Sequence, residues 1–167
     1  MEAVATKFAT IMISVGMDKV GNWVKKRYGK KPLPPIEEIK KAIKVLFVDD
    51  EDFSARLSTI RDAGWNVNQI HEVTNFDSED IKSADIIFMD YMGVGKTLTP
   101  KEGGIGLLKS IKKRYPKKFI VFYSGYAGFI PGHEVHSIAD AWIDKHADTF
   151  VYIDQIEDAA TKVYGSR

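Results

Sequence analysis

Reactive side chains stand directly after apolar runs at four places in the chain. Asp49-Asp50-Glu51 follows VLFV, Asp90 follows IIFM, Ser124-Gly125 follows VFY, and Asp144-Lys145 follows AWI. Carboxylates brought together repel one another and lose hydration, so such a cluster normally holds a cation. With oxygen donors and neither Cys nor His among them, Mg²⁺ is the natural occupant. A carboxylate beside Mg²⁺, an ammonium and a hydroxyl is suited to attack a phosphoryl group and hold it as an acyl phosphate, because metal and amine neutralise the equatorial oxygens. Taken singly the signals are ordinary. Asp49-Asp50 would serve as a helix cap before FSARL, Ser-Gly opens many loops, and most lysines are solvated. Their joint placement carries the reading.

A competing motif sits next to Asp90. Gly93-Val94-Gly95-Lys96-Thr97 looks like the tail of a phosphate-cradling loop. That motif needs a glycine five residues before Gly95, where this chain has Asp90, and a helix opening at Lys96-Thr97, where Pro100 follows instead. Nucleotide binding is therefore not expected. Gly93 and Gly95 read as flexibility in an enlarged loop, and Lys96 and Thr97 as groups that tune access of donor, water or partner. His133 and His136 have metal-ligand spacing on a helix but no evident third ligand. The basic run 109–118 reads as a solvated helix face rather than a nucleic-acid patch.

The elements that must position these residues alternate. IKVLFVDD (43–50) is a nearly continuous apolar run, the pattern of a strand covered on both faces. DFSARLSTIRDAG (52–64) reads as a helix and WNVNQIHEV (65–73) as a second strand. DSEDIKSA (77–84) is a brief helix with an Asp/Ser cap. DIIFMD (85–90) is a third strand, GIGLLKSIKKRYP (104–116) a helix, and KFIVFYS (118–124) a fourth strand. A short helix near 133–138, a fifth strand DAWIDK (140–145) and a helix IDQIEDAATKVY (153–164) complete the series. Strands alternating with helices give an α/β fold, an open, doubly wound, five-stranded parallel sheet. Sites in such sheets form beyond the carboxyl ends of the strands, where the four reactive stretches lie.

Ahead of that domain, assigned to 43–167, the chain differs in character. Apolar residues at Val4, Phe8, Ile11, Met12, Val15, Val20, Trp23 and Val24 follow three- and four-residue steps, so 1–31 reads as an amphipathic helical extension. Pro32, Pro34 and Pro35 make 32–42 a linker and lead-in. Residues 1–35 hold seven Lys/Arg against Glu2 and Asp18, although the whole chain has a net charge of only +1. The stripe suits packing on its own domain or on a second copy in a homodimer, docking of a partner protein, or, less well, a membrane surface. With no cysteine, no secretory signal and no bilayer-length apolar run, a cytoplasmic protein without membrane insertion is expected.

Asp49-Asp50, Asp90, Ser124, and Lys145 with Trp142 three residues before it resemble the receiver domain of bacterial two-component and phosphorelay response regulators. The resemblance covers about residues 44–164 and implies the flavodoxin-like receiver fold, with Asp90 as phosphoacceptor from a histidine kinase or histidine phosphotransfer protein. It further implies Mg²⁺ held by Asp49, Asp50, Asp90 and the Met92 backbone carbonyl, with Ser124 and Lys145 on the phosphoryl oxygens and Trp142 as switch aromatic. Such a protein is a signalling phosphoprotein rather than an enzyme. Standing alone without an output domain, it would read out through a downstream protein target or self-association, with no direct nucleic-acid contact. The chain departs from the family at His146, where proline usually follows the lysine, in the long segment between Asp90 and Gly104, and in the Gly-rich stretch GYAGFIPGHE (125–134). These departures keep open another reading, a receiver-like binding or dimerisation module that acts without phosphorylation.

Overall fold

Three apolar runs of β-branched and aromatic residues form the middle of a sheet: β1 (Lys44–Val48), β3 (Ile86–Asp90) and β4 (Phe119–Ser124), the last two buried at every position. The more polar runs form its edges, β2 (Asn66–Ile70) and β5 (Ala141–Asp144), where one residue in each, Val67 and Ile143, is buried. In this computed structural model, which describes residues 32–125 and 133–167, the strand order is β2-β1-β3-β4-β5 and every pairing is parallel. This is the expected doubly wound α/β sheet. The strand order reverses between β1 and β3, which places the carboxyl ends of those two strands at the topological switch point. The expected helix within 1–31 and most of GYAGFIPGHE lie outside the described residues.

Two-residue alternation along the central strands divides the core. Val45, Phe47, Ile86, Phe88, Val121 and Tyr123 face one side, with α1 (Ile36–Ala42), α2 (Ser54–Asp62) and α6 (Thr149–Gly165) supplying Ile39, Leu57, Ile60, Tyr152 and Ile156. Leu46, Val48, Ile87, Met89, Ile120 and Phe122 face the other. There α3 (Glu79–Ser83), α4 (Gly103–Arg114) and α5 (His133–Ile138) supply Ile81, Leu107, Leu108, Ile111 and Val135. The Ser78 hydroxyl caps α3 by accepting from the Ile81 N–H.

Three elements differ from the sequence reading. Residues 36–42, read as a lead-in, form α1, whose Ile39 enters the core. The second strand stops at Ile70 because His71 and Glu72 turn away to bind backbone elsewhere. The last helix starts at Thr149 rather than Ile153, because burial of Tyr152 draws its first turn onto the sheet.

Candidate functional site

The ends of β1 and β3 bring Asp49, Asp50 and Asp90 together: one carboxylate oxygen from each lies within 4.8 Å of the others. Asp49 is fully buried and Asp90 is 2% exposed, whereas Asp50 faces solvent. Buried carboxylates require partners, and Lys145, at the exit of β5, supplies an ammonium. Its Nζ donates to Asp90 Oδ2 at 2.7 Å and to Asp49 Oδ1 at 3.1 Å, and lies 3.2 Å from Glu51 Oε2. Ser124 is buried at the end of β4, and its carbonyl accepts the Lys145 N–H at 3.0 Å. Met92 is exposed just past Asp90, its N–H donating to Asp90 Oδ1 at 3.4 Å. Trp142 lies on β5 opposite Phe122 with its side chain partly open to solvent.

The electrostatics of the pair differ by partner. Burial raises the Asp90 carboxyl above its usual range, and the charge of Asp49 adds to this, together outweighing the pull of Lys145. Burial works against the Lys145 ammonium, but hydrogen bonds to Asp90 and Asp49 overcome it and hold Lys145 above the ordinary lysine value. An amine kept charged therefore faces a carboxyl whose ionisation is disfavoured by its surroundings.

A second ring of residues, not legible in the sequence, fixes these groups. The Tyr123 hydroxyl donates to Asp49 Oδ2 at 2.7 Å, and burial followed by the Asp49 charge raises that phenol well above its ordinary value, so it remains a donor. Gln69 Nε2 donates to the carbonyls of Asp49 and Glu51 while its Oε1 accepts from the Phe53 N–H. The ring of His71 meets the same Asp49 carbonyl at 3.1 Å. Beyond β5, Arg56 donates to the carbonyls of Lys145 and Ala147 and stacks on Tyr152, and the Tyr152 hydroxyl also donates to the Lys145 carbonyl. Burial pushes the Tyr152 phenol up to about 12. Among the described residues there is no cis peptide bond, so Lys145–His146 is trans. His146 Nε2 lies 3.1 Å from the Gly125 carbonyl.

The mouth of the site is a cavity of about 360 Å³ lined by Asp50, Glu51, Asp90, Met92, Lys145 and His146, among others. A larger cleft of about 520 Å³ lies at the amino ends of β3 and β4. Its charges serve the fold: Lys118 binds the carbonyls of Lys82 and Ala84, and Arg167 binds Asp85.

The Gly93–Thr97 turn does cradle an anion, but one that belongs to the protein. Glu72 Oε1 accepts from Gly95 N–H at 3.0 Å and from Val73 N–H at 3.1 Å, while Oε2 accepts from Lys96 N–H at 3.2 Å. Lys96 Nζ in turn lies 3.0 Å from Asp50 Oδ2. The amides that a phosphate would need are thus occupied, and the expectation that this is no nucleotide loop has a physical cause.

No family model matches the sequence, and no curated protein matches it. Solved structures do resemble it. NtrX from Brucella abortus, in complex with ADP, superposes with a TM-score of 0.56 at 23% identity over 73% of this chain, which spans only 28% of NtrX. A CheY-like response regulator receiver domain protein from Methanospirillum hungatei JF-1 gives a TM-score of 0.53 at 16% identity, covering 75% of this chain and 98% of that one. Chemotaxis protein CheY4 of Vibrio cholerae gives 0.51 at 21% identity, covering 70% and 98%. The parallel five-stranded sheet, its strand order and these likenesses together show that the chain has the fold of response regulator receiver domains.

Proposed function

We propose that this chain is a phosphoryl-accepting receiver in a two-component or phosphorelay pathway, with Asp90 as the acceptor. The observation that supports it best is Lys145 Nζ at 2.7 Å from Asp90 Oδ2 beside three carboxylates whose oxygens lie within 4.8 Å. The donor set fits Mg²⁺: all oxygen, two members held rigidly, and the third, Asp50, open enough to leave room for water. Asp49, Asp50, Asp90 and the Met92 carbonyl would hold the ion, which when bound neutralises charge on the transferring group.

The chemistry of the chain's own residues follows. An oxygen of ionised Asp90 attacks the phosphorus of the donor phosphoimidazole or acyl phosphate. The bond from phosphorus to the donor breaks, and the leaving group departs with the electron pair. Lys145, already bonded to Asp90, follows the charge onto the phosphoryl oxygens, and the Ser124 hydroxyl donates to another. Arg56 and Tyr152 hold the Lys145 carbonyl and so keep its ammonium aimed inward. Trp142 reports the change on β5, and the readout is a protein–protein contact or a change in self-association. The phosphoryl source is a histidine kinase or histidine phosphotransfer protein.

Beryllofluoride with Mg²⁺ mimics an acyl phosphate on a carboxylate. It is expected to raise the unfolding midpoint and shift tryptophan fluorescence in the wild-type chain and to do neither in Asp90→Ala. Identical responses in the two proteins would sink the proposal. The ion pair from Lys96 to Asp50 favours the rival reading, a binding module whose loop is set without phosphate; that reading predicts partner binding indifferent to Asp90→Ala.

A further inference from the structure

Residues 91–103 form a built loop, and that loop carries an ammonium to the mouth of the acidic cluster. Val94 is buried against the apolar face that α3 and α4 cover. The Glu72 carboxylate holds the amides of Gly95 and Lys96, and the Thr99 hydroxyl bonds the carbonyls of Gly95 and Gly103 at 3.3 and 2.8 Å. Gly93, at φ +77°, brings its backbone so close to Asp50 that a Cβ there would stand 1.9 Å from Asp50 Oδ1. From this frame Lys96 reaches Asp50 Oδ2 at 3.0 Å.

We infer that Lys96 is a tethered cation that competes with a divalent ion for Asp50, so that ion binding and the setting of the 93–97 turn form one coupled equilibrium. The inference rests on the proposed Mg²⁺-assisted function and deepens it. Asp49 and Asp90 are bound to Lys145, which is itself buried. Asp50 instead takes its counter-charge from a side chain that is 68% exposed, against 37% for Asp50 itself. An ion pair so open to water contributes little stability, and an exchangeable contact requires that weakness. Whatever takes Asp50 from Lys96 must release the lysine, and by linkage whatever fixes the lysine elsewhere must strengthen ion binding. The loop that sets this chain apart from ordinary receivers thereby becomes an adjustable resistance to its own cation.

The test is calorimetric titration of the full chain with Mg²⁺, in wild type, Lys96→Met and Lys96→Arg. Lys96→Met keeps the stem and is expected to bind Mg²⁺ about three- to tenfold more tightly, with the gap narrowing as salt rises. Lys96→Arg should stay close to wild type. Hydrogen exchange supplies a second readout: Mg²⁺ should raise exchange of the 93–97 amides in wild type and change it little in Lys96→Met. Equal or weaker Mg²⁺ binding by Lys96→Met overturns the inference, as does a wild-type loop whose exchange ignores Mg²⁺. Acetyl phosphate separates this from the parent proposal. An adduct at Asp90 with Mg²⁺ affinity indifferent to Lys96 rejects only the inference, whereas tighter binding in Lys96→Met without any adduct rejects only the acceptor role.

Discussion

Asp90 is a carboxylate placed where its charge is poorly supported, and that has a measurable sign. Its folded value is raised by burial first and Asp49 second, so folding favours the protonated form. That contribution to stability is present in full below the unfolded carboxylate value and is lost as pH rises through the raised folded value. Asp90→Asn removes the effect. In EDTA, the variant's stability relative to wild type is therefore expected to grow as pH rises through that window, as chemical denaturation at a series of pH values would show; a pH-independent difference contradicts the account. Tyr123→Phe probes the other buried acid. It removes a hydrogen bond to a charged group, Asp49, and should lower stability by about 2 kcal/mol. The acids, Ser124 and Lys145 were legible in the sequence because each ends an apolar run. Gln69, Tyr123 and Arg56 were not, because each bonds a backbone carbonyl or carboxylate far away in sequence, nor was Tyr152, which reaches the Lys145 carbonyl seven residues back; no period or motif marks such contacts.

At the level of elements, the strand ends carry the acids while the connecting segments aim them. The 93–97 turn shows how a local motif misleads: glycines that suit a phosphate cradle are required here by the approach of Gly93 to Asp50 and of Gly95 to Gly103 and Thr99, while Glu72 takes up the amides. Gly93→Ala must strain a positive φ and push the Asp50 carboxylate aside. It is expected to weaken Mg²⁺ binding by at least about tenfold, opposite in sign to Lys96→Met, with α/β circular dichroism unchanged. Unaltered Mg²⁺ affinity in Gly93→Ala would show that the loop does not rest on Asp50. Arg56→Ala frees the Lys145 carbonyl from one of its clamps, so phosphorylation by acetyl phosphate should slow while Mg²⁺ affinity holds; equal loss of both would mean general damage. The strands were readable from hydrophobic pattern because three of them are buried on both faces. The start of α6 and the length of β2 were not, since tertiary contacts of Tyr152, His71 and Glu72 set them.

For the whole molecule, receiver topology brings four distant stretches of sequence to one edge of a sheet, and this is why fold class and candidate site could be read together. The N-terminal segment has a separate character, with its basic excess and its apolar stripe in residues 3–28. If self-association is the readout, the full chain should change its elution volume in size-exclusion chromatography when a phosphoryl donor and Mg²⁺ are added, and Asp90→Asn should not. The most direct test of the account is intact-mass analysis of the full chain after incubation with acetyl phosphate and Mg²⁺, followed by peptide mapping. The account predicts a single phosphoryl group, sensitive to hydroxylamine, located at Asp90, not formed when EDTA replaces Mg²⁺ and absent from Asp90→Asn. An unmodified wild-type chain, or an adduct that persists in Asp90→Asn, would contradict it.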